Sequence, residues 1–182
     1  MASFDPKTLL IVMALRDESQ GLFEASGIQP YYTGIGQVRA AFGLTKAIHE
    51  QKPVGILNLG TAGSFDLPQG QIVECSAFIQ RQSQILAPKS KTLLASGSLS
   101  DFPKVICGSA DFIQHEFTGG ARFDIMDMEA YALAYVAAQM KLPFYSIKVI
   151  SDHSTENVVS DWKKNLAISA ENLFNAYQGL HT

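Results

Sequence analysis

Short apolar runs alternate with stretches of helical period along most of this chain, the pattern of a mainly parallel sheet covered by helices. Residues 8–14 form the first run and 54–59 another, each short enough for one buried strand. Further strands are expected at 72–79, 92–95, 104–107 and 144–151, with Pro88, Pro103 and several Gly and Ser residues punctuating the middle of the chain. Between them the spacing predicts helices over 17–26, closed by Gly27, and over 37–52, stopped by Pro53. Residues 128–140 carry Ala, Leu and Val around much of a helix circumference and end before Leu142-Pro143. Trp162, Leu166, Ile168, Leu173, Phe174 and Tyr177 recur at roughly helical spacing, so 161–180 should dock as a last helix. No internal repeat, linker or low-complexity tract interrupts the series, and residues 1–182 read as one domain.

Composition narrows what such a domain does. With 182 residues, 47% of them hydrophobic, the chain can bury one substantial core. A formal net charge of -3 supplies no basic stripe to follow a phosphate backbone, so the expected partner is a small molecule and not nucleic acid. No apolar run approaches membrane-spanning length, and residues 1–7 lack a basic segment followed by an apolar signal core; the expectation is a cytoplasmic protein without a membrane partner. Cys75 and Cys107 lie outside any CxxC pair in apolar, strand-like surroundings and are expected to be buried, reduced thiols. His49, His115, His153 and His181 are dispersed without metal-ligand spacing, so no metal site is expected.

Two carboxylates stand where an α/β protein presents chemistry. Glu129, in Asp127-Met128-Glu129-Ala130, opens an apolar helix, and Asp152, in Ile150-Ser151-Asp152, ends an apolar strand. Ligands of open α/β sheets lie beyond the carboxyl ends of the strands, so both acids should face one pocket, suited to a polyhydroxylated, basic ligand. Taken singly, each has a plainer reading: Glu129 as a partner of the helix dipole, Asp152 as a cap, and Glu18 as a first-turn acid of its helix. Two glycine-rich segments, Thr33-Gly34-Ile35-Gly36-Gln37 and Asn58-Leu59-Gly60-Thr61-Ala62-Gly63-Ser64, read as tight turns whose N–H groups can approach an anion or sugar. Neither fits a Walker or dinucleotide fingerprint.

Together with Met13-Ala14-Leu15-Arg16-Asp17-Glu18, these segments stand in an order that resembles the nucleoside phosphorylase and nucleosidase superfamily, most closely its 5′-methylthioadenosine/S-adenosylhomocysteine nucleosidase branch. The resemblance covers most of the chain. It implies a three-layer α/β/α fold with a central mixed, mainly parallel sheet, and hydrolysis of the N-glycosidic bond of a purine nucleoside without cofactor or metal. Asp152 would give its proton to purine N7 with Ser151 holding it; Glu18 would activate the attacking water, and Thr61 would stand beside the ribose and water site. Glu129 would take the ribose hydroxyls with Met128 packed on the sugar. Phe112 would stack on the base, with its neighbour Ile113 offering backbone hydrogen bonds to the purine edge, and Trp162 would line the base and 5′ pocket. In their bland reading Phe112 and Trp162 are ordinary core aromatics.

Water rather than phosphate is the expected nucleophile, because phosphorylases of the superfamily place an arginine in the turn where this chain has Asn58. Arg16 and Arg39 are the nearest candidates for a phosphate site. The chain is shorter than a typical member, and the shortening falls around 79–104, where the family shapes the 5′ end of the pocket and the subunit contact. Alternatives therefore stay open at this point: futalosine hydrolysis, phosphorolysis, or a nucleoside-binding or storage protein. A homodimer is what the family implies.

Overall fold

A computed structural model describes residues 5–81, 92–112, 123–153 and 158–180. Eight strands, β1 (Leu10–Met13), β2 (Tyr31–Tyr32), β3 (Ile56–Gly63), β4 (Ile72–Gln80), β5 (Leu93–Leu94), β6 (Lys104–Ser109), β7 (Ile125–Asp127) and β8 (Phe144–Asp152), form one sheet. Four helices, α1 (Leu22–Ala25), α2 (Gln37–Gln51), α3 (Ala130–Gln139) and α4 (Val158–Gln178), cover it. The pairings β1·β2, β1·β3, β3·β8, β4·β6 and β6·β7 are parallel; β3·β7, β4·β5 and β4·β8 are antiparallel. The sheet is thus mixed and mainly parallel, as expected. It also closes on itself, because hydrogen bonding runs from β3 through β8, β4, β6 and β7 back to β3.

Strand alternation builds the three layers. Leu10 and Val12 face one side of β1, while Leu9, Ile11 and Met13 face the other, since successive side chains of a strand point oppositely. Leu10 and Val12 pack in the cluster that takes Ala40, Leu44 and Ala47 of α2 and Ala130, Leu133 and Ala137 of α3. Ile11 and Met13 pack with Leu57, Leu59, Ile147 and Val149 under Leu173, Ala176 and Tyr177 of α4 and Phe23 of α1. Cys75 and Cys107 are free and fully buried in the first cluster, where burial and the adjacent Cys75 push the Cys107 thiol well up.

Several sequence expectations are corrected. The helix expected over 17–26 is broken into a 3-10 turn, Arg16–Glu18, and the single turn α1, because Gln20 and Gly21 adopt φ values of 47° and 77°. β2 and β7 were not anticipated; two or three residues are too few to establish a period. The glycine-rich segment after residue 57 is no turn: β3 runs through Gly63, with Gly60 opposite Lys148 and Thr61 opposite Val149. A Cβ on Gly60 would stand 3.1 Å from Glu18 Oε1 and 3.3 Å from Lys148 Nζ, so the glycine serves close approach and not chain reversal.

Candidate functional site

A cavity of about 280 Å³ lies at the carboxyl ends of β3, β7 and β8, where the crevice of an α/β sheet binds ligands. Three acids separated widely in sequence, Glu18, Glu129 and Asp152, line it and are nearly buried. Thr61 and Ser151 reach it from β3 and β8, Met128 from the start of α3, Phe112 from beyond β6, and Trp162 from α4. The structure therefore brings together eight of the nine residues expected from sequence. Ile113 lies outside the described residues.

Glu18 is held from three directions. Its Oε1 accepts from the Thr61 backbone N–H and hydroxyl, both at 2.9 Å, and its Oε2 accepts from the Leu15 N–H at 3.1 Å. Trp162 Nε1 in turn donates to Thr61 Oγ1 at 3.0 Å. Asp152 Oδ2 accepts from the Ser151 hydroxyl at 2.8 Å. Between β3 and β8, Ala62 is opposite Ile150 and Gly63 is opposite Asp152, so Ser151 has no counterpart in the ladder. This bulge re-aims the strand end. The Ser151 carbonyl of the bulge accepts from Gln69 Nε2 at 2.9 Å and from Asn165 Nδ2 of α4 at 3.2 Å.

Glu129 is the N-cap residue of α3, but its side chain makes no capping bond. The first N–H groups of that helix go elsewhere: Ala130 to Asp127 Oδ2 at 3.0 Å and Tyr131 to Ser109 Oγ at 2.9 Å. The Glu129 carboxylate is thereby left to face the cavity, where Oε1 accepts from the Gly36 N–H at 2.7 Å. Gly36, with φ of 91°, turns the chain into α2, and the next N–H, of Gln37, goes to Asp111 Oδ1 at 2.7 Å. In the described structure the first glycine-rich turn thus directs its N–H groups at carboxylates of the chain itself. Burial and the neighbouring Asp127 charge push Glu129 up to about 8, against the Lys148 ammonium and the Gly36 N–H; Glu18 adds to the rise.

Sequence reasoning missed two cationic residues, Lys148 beneath the cavity and Arg81 on its wall. The Lys148 side chain is 2% exposed, and its Nζ pairs with Asp127 Oδ2 at 2.9 Å under the cavity. Burial alone would lower Lys148, but Asp127, Glu129 and Glu18 all favour its charge and hold it well above the ordinary lysine value. Asp127 is likewise exposed to the penalty of burial, which Lys148, the Ser109 hydroxyl and the Ala130 N–H outweigh, so its carboxyl is held below the usual range. The signal was present: a lysine within Ser146-Ile147-Lys148-Val149-Ile150 demands a buried partner. At the other end of the cavity the Arg81 guanidinium lies over the Phe112 ring at 5.2 Å and the Phe123 ring at 5.5 Å. Its Nε donates to the Gly108 carbonyl at 3.0 Å.

Asn58 does not face the cavity. It is buried beneath it, donating to the Val12 carbonyl and accepting from Ser146 Oγ at 3.0 Å. Arg16 is exposed and pairs with Glu24 at 3.3 Å, and Arg39 is exposed on α2; neither lines the cavity.

Comparison with known proteins agrees with this architecture. Residues 108–180 match the family model described as Phosphorylase superfamily. A 5′-methylthioadenosine/S-adenosylhomocysteine nucleosidase of Listeria monocytogenes serovar 1/2a is 27% identical, over 76% of this chain and 74% of the relative. One of Shewanella piezotolerans is 28% identical over 71% and 70%. Among solved structures, the Helicobacter pylori 5′-methylthioadenosine/S-adenosylhomocysteine nucleosidase superposes with a TM-score of 0.83 at 18% identity, covering 93% of this chain and 97% of that one. The native futalosine hydrolase of the same organism gives 0.80 at 18% identity, covering 97% and 100%. The fold expected from the sequence is borne out, and so is the resemblance that led to it.

Proposed function

We propose that this chain, as a relative of the nucleoside phosphorylases and nucleosidases, is a hydrolase that cleaves the N-glycosidic bond of a purine nucleoside to free base and a ribose derivative. The observation that carries this reading is the convergence of Glu18, Glu129 and Asp152 on one cavity, each with a different set of hydrogen-bond donors. N-glycosidic cleavage passes through an oxocarbenium-like state, so a site must protonate the leaving base, favour positive charge on the sugar and aim a nucleophile at the anomeric carbon.

The three acids divide that work. Asp152, steadied by Ser151, donates a proton to N7 of the departing purine. Glu18 accepts a proton from the attacking water, with Thr61 beside it. Glu129 takes the ribose hydroxyls while Met128 packs on the sugar, and its oxygens keep those hydrogen bonds as positive charge develops on the ring. Phe112 stacks on the base, and the Trp162 ring closes the 5′ side. Lys148 offsets part of the acidic charge from below, holding Asp127 low while burial and the Asp127 charge raise Glu129.

Water is the nucleophile in this reading. Asn58 is turned away from the cavity, and Lys148 is committed to Asp127, which leaves a phosphate at Glu18 poorly neutralised. A nucleoside of the 5′-methylthioadenosine or S-adenosylhomocysteine type is the favoured substrate, in line with what the sequence relatives are named for; futalosine is the second, in line with the Helicobacter fold neighbour. We further propose a cytoplasmic homodimer. Val38 and Phe42 stand exposed one turn apart on α2, beside Ile35 at the cavity rim, and support pairing of that face with a second copy.

The test is to incubate the protein with methylthioadenosine, S-adenosylhomocysteine, adenosine, inosine and futalosine, with and without phosphate, and to identify base and sugar chromatographically. Free base with unphosphorylated sugar is expected. A sugar 1-phosphate formed only with phosphate would overturn the choice of water, and no turnover on any substrate would favour a binding protein.

A further inference from the structure

Trp162 is the chain's single tryptophan, and it makes a polar contact that a cavity-lining ring does not require. An indole N–H donates and accepts nothing, so Thr61 Oγ1 is committed as its acceptor. The one proton of the Thr61 hydroxyl then goes to Glu18 Oε1 at 2.9 Å, the oxygen that the Thr61 N–H also reaches. With Leu15 N–H on Oε2, three of the roughly four acceptor positions of this carboxylate are filled. Among the described residues, one position, on Oε2, is left for a donor from the cavity.

We propose that Trp162 is a positioning residue: acting through Thr61, its indole N–H fixes which lone pair of Glu18 receives the proton of the attacking water. The inference rests on the nucleosidase reading above. Without the N–H, the Thr61 hydroxyl is free to rotate, and its proton can turn from Glu18 to the water itself. The base then keeps its place but loses its single orientation, which affects turnover and leaves ground-state binding nearly intact.

Trp162→Phe removes the N–H and keeps an aromatic ring. It is expected to lower kcat on methylthioadenosine about 10-fold, the worth of one hydrogen bond realised in the transition state, with KM within about threefold. In a Thr61→Val background, where there is no hydroxyl to orient, the same substitution should change kcat less than about twofold; in Thr61→Ser the full loss should return. Wild-type kcat in Trp162→Phe, or an equal loss in the valine and threonine backgrounds, overturns the proposal. Fluorescence reads the contact without turnover: Thr61→Val should blue-shift the emission of the lone tryptophan, and an unchanged spectrum also overturns the proposal. Absence of turnover by the wild type on every nucleoside tested removes the nucleosidase reading and this inference with it, whereas a turning-over enzyme indifferent to Trp162→Phe removes this inference alone.

Discussion

Replacing Lys148 with methionine isolates the energetic role of the charge beneath the cavity. The side chains of Lys148 and Asp127 are 2% and 1% exposed, and they meet at 2.9 Å. Methionine fills most of the lysine's volume but leaves the Asp127 carboxylate buried with, among the described residues, the Ser109 hydroxyl and the Ala130 N–H as its hydrogen-bond donors. Removing one partner of a buried pair costs about 3–5 kcal/mol, a large part of a total of roughly 5–15 kcal/mol. Urea denaturation at pH 7, followed by circular dichroism, should show that loss. The pH dependence carries the sign. In the wild type Asp127 is held below its ordinary value by Lys148, so the pair stabilises above the unfolded carboxylate range, and that stability is lost as pH falls through the lower folded value. In Lys148→Met burial dominates and raises Asp127, so protonation relieves the penalty and the gap to wild type narrows on acidification. Asp127→Asn in the same background should recover most of the loss at pH 7. A single variant within about 1 kcal/mol of wild type, a gap that widens on acidification, or a double variant no better than the single one would refute the assignment.

Three further expectations follow from the site. Asp152→Asn should lower kcat by at least about 100-fold with nucleoside binding within a few-fold, measured by kinetics and calorimetry; unchanged turnover would remove Asp152 from its role. Burial and the Asp127 charge hold Glu129 at about 8 in the fold, above an ordinary glutamate, so between the ordinary value and 8 the unfolded chain releases a proton that the native one keeps. Native stability should therefore fall by a few kcal/mol as pH rises through that window, and Glu129→Gln should flatten the curve; parallel denaturation curves at pH 5, 6.5 and 8.5 would contradict this. Gly60→Ala places a methyl group 3.1 Å from Glu18 Oε1, so kcat should drop about 10-fold or more while the protein stays folded, and full activity would show that Glu18 tolerates displacement.

Periodicity made the long elements legible. The apolar runs of β1, β4 and β8 and the helical patterns of α2, α3 and α4 each extend far enough to repeat, and their bounds in the structure differ from the sequence reading by a few residues. β2 and β7 are too short for that, and their pairing is set by neighbours distant in the chain. Gly60 and Gly63 misled for a physical reason. Glycine marks turns when the backbone needs positive φ, but in β3 it marks a place where a carboxylate and an ammonium approach the strand. The cavity acids were legible because short motifs carried them. Lys148 and Asp127, 21 positions apart, belong together through the strand layout, which no local pattern displays. The Trp162 to Thr61 contact spans 101 positions and was equally hidden.

The unmatched Ser151 in β8 gives this site an unusual sensitivity to chain length. Exchanging Ser151 for alanine keeps the count of residues and the bulge, and removes only the hydroxyl that donates to Asp152. Removing it would let β8 run in regular register beside β3, with the aspartate still opposite Gly63 but following Ile150 directly, without the bulge that re-aims the strand end and without the hydroxyl that donates to it at 2.8 Å. The strand pairing would survive while the carboxylate lost its bulge-set aim. Deletion scanning across 149–153 therefore separates folding from chemistry in a way that residue-by-residue replacement does not. A one-residue change of length at this strand end is expected to disturb the aspartate more than loss of the Ser151 hydroxyl alone.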